Sequence, residues 1–145
     1  MERSRKTLMM ALSRTQKEWA RHMRECALEV GIPDSYRTVI MYLSRHPGAN
    51  QKMLAEFSNK TTAAINQTVK EMLADEYIRK ETDESDQRYT KLFLTEKGNE
   101  KDCLLRKRLR QSDNKITAVI GTEREQELIE LLDSLFTVIR EELSC

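Results

Sequence analysis

The chain has 145 residues, 39% hydrophobic and 34% charged, enough for one apolar core beneath a heavily solvated surface. Its 4 Gly and 2 Pro exclude a turn-rich all-β sandwich, and the regular recurrence of its apolar residues excludes disorder. No apolar run approaches the ~18 residues of a membrane span, and the first residues lead into no signal-peptide core, so a cytoplasmic protein with no membrane partner is expected.

The net charge of +1 names no partner, but the charge is divided along the chain. Residues 1–24 hold Arg3, Arg5, Lys6, Arg14, Lys17, Arg21 and Arg24 against two Glu; residues 122–145 hold seven acids against Arg124 and Arg140. Such a chain can still bind an anion on one face. Cys26, Cys103 and Cys145 are far apart and form no CxxC, which argues against a disulfide framework or zinc knuckle. With 2 His and no nucleophile elbow, phosphate loop, HExxH or dinucleotide fingerprint, no catalytic residue, metal site or cofactor is expected.

In chain order, residues 4–29 place Leu8, Leu12, Thr15, Trp19, His22, Met23, Cys26 and Val30 on one stripe of a long helix. Gly31-Ile32-Pro33 stops it. Asp34 or Ser35 is expected to cap a second helix that buries Val39, Ile40 and Leu43 and ends at His46-Pro47-Gly48. A short helix from Asn50 to Phe57 is expected to bury Met53, Leu54 and Phe57. Past the polar turn Ser58-Asn59-Lys60-Thr61, a helix from Thr61 to about Asp75 would bury Ala64, Ile65, Val69, Met72 and Leu73. Its other face would present Thr62, Asn66, Gln67 and Lys70. Two short helices joined in this way have the outline of a helix-turn-helix.

The period then changes. Residues 77–80 and 89–94 read as strands around the polar residues 81–88, a hairpin placed as a wing. Thr95 can cap a helix running to about Val119, with Leu104, Leu105, Leu109, Ile116 and Val119 apolar. Gly121 breaks it, and Thr122 with Glu125 reads as a capping box. The last helix is expected to bury Leu128, Leu131, Leu132, Leu135, Phe136, Ile139 and Leu143. Terminal helices longer than the central module can cover call for a second copy of the chain, most simply in a two-fold homodimer.

Asp86-Gln87-Arg88, followed at the right spacing by Leu94-Thr95 and Gly98, resembles the D-x-R-x5-L-T-x-x-G wing signature of the multiple antibiotic resistance regulator (MarR) family. Leu54-Ala55-Glu56 resembles the start of that family's first DNA-facing helix. Ile65, Val69, Met72, Tyr77 and Ile78 fall where the family keeps apolar residues. The resemblance implies a mainly α fold with a small β-hairpin: a winged helix-turn-helix over residues 34–98, flanked by dimerisation helices in 1–31 and 99–145. It also implies a transcription regulator, usually a repressor relieved by a small molecule or an oxidant. The family commonly has Gly where this chain has Glu76, and Asp83, Glu84 and Asp86 make this wing tip acidic.

On such a module Asn66 and Gln67 can pair bidentately with adenine, and Thr61 or Thr62 can donate to phosphate or pack on a thymine methyl. Lys52, Lys60 and Lys70 suit phosphate contacts, which position without reading sequence. Arg88 resembles the wing arginine that enters the minor groove, and Asp86 is expected to fix the hairpin tip. Trp19, Met23, Tyr36, Met41 and Tyr42 are the candidate lining of the effector cleft that the resemblance implies. The partners expected are double-stranded DNA, a second copy and a small-molecule effector. Two alternatives stand beside this reading: a winged helix that binds a protein partner, favoured by the acidic tip, and a redox or metal sensor built on His22 and Cys26, four apart on one helix face.

Overall fold

The computed structural model describes residues 7–82, 84–86 and 89–144. Residues 4–6 of the expected first helix, with Arg3, Arg5, Asp83, Gln87, Arg88 and Cys145, lie outside the described residues. Among the described residues there are six helices and one two-stranded antiparallel sheet, so the fold is mainly α with a hairpin. The chain divides into two compact units, one ending at Arg106 and one starting at Lys107. No helix among the described residues is long and apolar enough to cross a membrane.

In the first unit α1 (Leu8–Glu29) starts at Thr7, whose hydroxyl oxygen accepts from Met10 N at 3.2 Å. Its end is a Schellman turn: Gly31, at φ 78°, donates to Leu28 O, and Ile32 donates to Ala27 O. Only Met23, Cys26 and Ala27 of α1 are buried, whereas Leu8, Leu12 and Trp19 of the expected stripe are exposed. The next helix, α2 (Asp34–Arg45), is entered through Pro33 with no side-chain cap. Asp34 lies inside its first turn and pairs with Arg37 at 2.7 Å, so neither Asp34 nor Ser35 is the cap expected; Pro's fixed φ already supplies the entry. Tyr36, Val39, Ile40 and Leu43 form its buried face.

The short α3 (Gln51–Ser58) buries Leu54 alone. Met53 and Phe57 were expected inside and are 41% and 56% exposed, because a helix of two turns wedged between neighbours covers one narrow line of side chains. Phe57 instead lays its ring 4.7 Å from that of Tyr42. After it come α4 (Thr62–Ala74), β1 (Ile78–Thr82) and β2 (Thr90–Leu94), paired from Ile78↔Leu94 to Thr82↔Thr90. Of the apolar residues expected inside on α4, Ile65, Val69 and Met72 are buried, Leu73 is half-buried and Ala64 is exposed; Thr68 takes a buried place instead. The loop before α3 joins this hairpin, with Gly48 N donating to Leu92 O and Leu92 N to Ala49 O. The core is one cluster of Ile32, Val39, Ile40, Leu43, Leu54, Val69, Met72 and Leu92, all 1% exposed or less.

Thr95 opens α5 (Glu96–Ile120) as expected, its hydroxyl oxygen accepting from Gly98 N at 3.1 Å. Near its start, Asp102 accepts from Ser44 at 2.9 Å and from Arg106 at 2.8 Å, tying α5 to α2. Leu105 is fully buried, but Leu104, Ile116 and Val119 are exposed. In the second unit Gly121, at φ 89°, makes a one-residue corner into α6 (Thr122–Glu142). The expected capping box does not form, since Gly121 takes the cap position and leaves Thr122 already helical. Glu125 accepts instead from the Thr117 hydroxyl at 2.6 Å. No residue of α6 is buried within the chain, and Leu128, Leu131, Leu132, Phe136, Ile139 and Leu143 are 43% to 67% exposed. The apolar pattern marked a face that α6 has available to bury, and Leu135, also expected inside, is half-buried.

Candidate nucleic-acid interface

Three local devices present α4 to solvent. Asn50 caps α3 by accepting from Met53 N at 2.9 Å. Asn59 ends it in the left-handed region at φ 53°, which Asn tolerates better than most residues. Thr61 then caps α4, its oxygen accepting from Ala64 N at 3.1 Å while its O–H stays able to donate. Ile65, Thr68, Val69 and Met72 anchor the inner face, so Thr62, Ala63, Asn66, Gln67, Lys70 and Glu71 face outward together.

The site residues read from the sequence thus divide cleanly in space. Thr62, Asn66, Gln67 and Lys70 share the open face of α4, while Lys60 and Thr61 stand exposed at its N-terminus. Lys52 is exposed on α3 and lines an open crevice with Asn50, Gln51, Asp86, Tyr89 and Thr90. That crevice brings Asp86, Tyr89 and Thr90, at the tip end of the hairpin, to the start of α3, with Asp86 half-buried in it and its carbonyl accepting from Tyr89 N at 3.0 Å. Sequence reasoning missed two residues of the open face. Ala63 offers a methyl group, and Glu71 accepts from Gln67 Nε2 at 2.8 Å, a pair whose i, i+4 spacing was visible in the sequence. The bond leaves Gln67 with its oxygen and one N–H, a combination that still matches the adenine edge.

The physical sense of Leu94-Thr95-x-x-Gly98 lies at the foot of α4. That helix ends in a second Schellman turn, with Glu76 N donating to Leu73 O and Tyr77 N to Met72 O. Glu76 sits there at φ 61°, the conformation Gly would adopt without strain, so the turn keeps its shape despite the substitution. Thr95 donates from its hydroxyl to Glu76 O at 2.6 Å and from its amide to Tyr77 O at 3.1 Å. Gly98 is required because a Cβ there would stand 2.2 Å from Tyr77 O.

Of the candidate effector lining, Met23 and Tyr36 are buried, Met41 and Tyr42 half-buried, and Trp19 is 42% exposed. Tyr42 faces His46 and Phe57, whereas Tyr36 donates to Asp75 Oδ2 at 2.5 Å and meets the Tyr77 ring edge-on. Burial, with the Asp75 hydrogen bond and charge, raises the Tyr36 pKa far above its ordinary value. Cys26 is fully buried, its Sγ 3.4 Å from His22 Nε2. Among the described residues no group of three His, Cys, Asp or Glu side chains comes together to hold a metal.

Comparison with known proteins agrees with this geometry. Residues 30–88 match the model of the MarR family. No curated protein sequence matches the chain. Among solved structures, a MarR transcriptional regulator from Methanosarcina mazei Go1 is similar at 21% identity and a TM-score of 0.75, over 87% of this chain and 91% of that one. The transcriptional repressor CouR, solved on a 23-mer DNA duplex, is similar at 21% identity and a TM-score of 0.79, over 89% and 92%. The Mycobacterium tuberculosis MarR-family protein Rv2887, solved with salicylic acid, is similar at 18% identity and a TM-score of 0.72, over 91% and 98%. Residues 30–88 therefore match the MarR family, in a chain that has the fold of MarR regulators over about nine-tenths of its length.

Proposed function

We propose that the chain is a sequence-specific DNA-binding regulator of transcription, a homodimeric repressor on a palindromic operator that a small molecule releases. The observation that carries this reading is the open face of α4, where Thr62, Asn66, Gln67 and Lys70 stand exposed on a helix anchored by a buried inner face. In the major groove Asn66 and Gln67 read bases, while Lys52, Lys60, Lys70, Thr61 and Thr62 hold the backbone. Arg88 extends the contact into the minor groove from a wing whose tip Asp86 fixes. DNA-bound and salicylate-bound structures of similar fold support the two ligand classes. Residues 34–98 bind DNA, and α1, α5 and α6 bring two copies together through their exposed apolar faces. The effector cleft draws on Trp19, Met23, Tyr36, Met41 and Tyr42.

The test is the salt dependence of binding to a preferred duplex and to a scrambled one. Asn66→Ala or Gln67→Ala should cost roughly 1–3 kcal/mol on the preferred site and little on the scrambled one. Lys60→Ala should weaken both alike and reduce the salt slope by about one unit per binding site contacted. Uniform loss from both kinds of change would remove α4 from its role as the reading helix.

A further inference from the structure

We propose that Tyr36 is a positioning residue for base reading: through its hydrogen bond to Asp75 it sets the pitch of α4 against α2. The inference rests on the DNA-binding reading above. Asp75 is the residue on which α4 ends, and it is held from two elements at once. Its carboxylate accepts from the Tyr36 hydroxyl of α2 at 2.5 Å, and its carbonyl accepts from Lys97 Nζ of α5 at 2.8 Å. Tyr77, two residues on, packs edge-on to Tyr36 with ring centroids 5.3 Å apart and takes Lys97 Nζ 4.3 Å over its own ring. The C-terminal end of the reading helix is thus clamped by polar bonds, while along its body Ile65, Thr68, Val69 and Met72 are buried, and apolar packing is non-directional.

The lever is long enough to matter. Asn66 stands nine residues from Asp75, about 13 Å of helix rise, so a pivot of about 5° at the foot would carry it about 1 Å. A hydrogen bond to a base edge weakens over that displacement. Tyr36 is 4% exposed, but Asp75 is exposed, so removing the hydroxyl leaves a carboxylate that water can satisfy. The fold should survive the change while the helix loses its stop.

The experiment compares wild type, Tyr36→Phe, Asp75→Ala and Asp75→Asn in anisotropy titrations of a selected best duplex and a scrambled one, with a thermal melt of each protein. Tyr36→Phe and Asp75→Ala should each lower the best-to-scrambled affinity ratio about tenfold, leaving scrambled binding within about twofold of wild type. Asp75→Asn keeps an oxygen that accepts from Tyr36 and should stay within about threefold of wild type on the best duplex. An unchanged ratio in Tyr36→Phe overturns the proposal. Equal losses on both duplexes that track the loss of thermal stability overturn it as well, since they mark a merely structural role. So does an Asp75→Asn protein as impaired as Asp75→Ala. A wild-type protein with no preference between the duplexes overturns the DNA-reading function itself, and this proposal with it.

Discussion

Gly98→Ala is the sharpest test of how the wing is fastened to the helices. The added Cβ would stand 2.2 Å from Tyr77 O and 3.2 Å from Leu94 Cδ2, and the nearer atom is backbone that cannot rotate away. Relieving that overlap requires α5 to withdraw from the start of β1 by about 1 Å, since a carbon rests about 3.3 Å or more from a carbonyl oxygen. Withdrawal stretches three bonds that cross the same gap: Thr95 N to Tyr77 O at 3.1 Å, Thr95 Oγ1 to Glu76 O at 2.6 Å and Lys97 Nζ to Asp75 O at 2.8 Å. Losing two of them costs about 2 kcal/mol at about 1 kcal/mol each, and the disturbed packing adds about 1–3 kcal/mol. Replacing Gly by Ala inside a helix returns about 1 kcal/mol. The net destabilisation is about 2–4 kcal/mol, a fall in melting temperature of roughly 6–12 °C for a chain of this size. Circular dichroism at fixed protein concentration reads it, with the exposed neighbour Asn99→Ala as control. A Gly98→Ala protein as stable as wild type would show that α5 does not press on Tyr77 O.

Glu76→Gly should raise stability by about 0.5–1 kcal/mol, because the left-handed Glu76 costs about 1–2 kcal/mol and only part is returned to the more flexible unfolded chain; a urea midpoint that falls refutes this. Leu132→Asp should convert a dimer to a monomer, as Leu132 and Leu128 lie 43% and 45% exposed on a helix with no fully buried residue; sedimentation of wild type as a monomer at micromolar concentration contradicts it. The raised Tyr36 pKa makes the fold favour the protonated phenol, so its contribution is complete below pH ~10 and is lost as pH climbs beyond it. Tyr36 should resist ionisation in tyrosinate absorbance, and Tyr36→Phe should remove that late step; a wild-type titration unchanged by Tyr36→Phe except in amplitude would contradict the buried hydroxyl.

Periodicity made the helices, the hairpin and the open face of α4 legible before any coordinates, because buried and exposed positions alternate there with little ambiguity. Burial was harder to read where a helix is short or its covering surface lies elsewhere. Met53 and Phe57 are apolar yet open on α3, and Leu128, Leu131, Leu132, Phe136 and Ile139 of the apolar stripe of α6 are exposed. The capping box at Thr122 failed because a single Gly121 can turn the corner by itself, which leaves no residue outside the helix to cap it. The anchorage of α4 could not be seen at all. Tyr36 and Asp75 are 39 apart in sequence, and nothing local pairs a hydroxyl with a carboxylate over that distance. Conversely, Thr95 and Gly98 entered through a resemblance, and the structure supplies their reason: one ties the turn at Glu76 and the other lets α5 touch Tyr77 O.

The central claim is that the face of α4 reads DNA in two symmetric copies. Selection of binding sites by the full chain from a random duplex library measures this directly. The account predicts enrichment of a palindrome whose half-sites are centred about one helical turn, roughly 34 Å, apart, with adenine positions that lose their preference when Asn66 or Gln67 is replaced by Ala. A library that emerges without enrichment, or a motif unchanged by both substitutions, would contradict it.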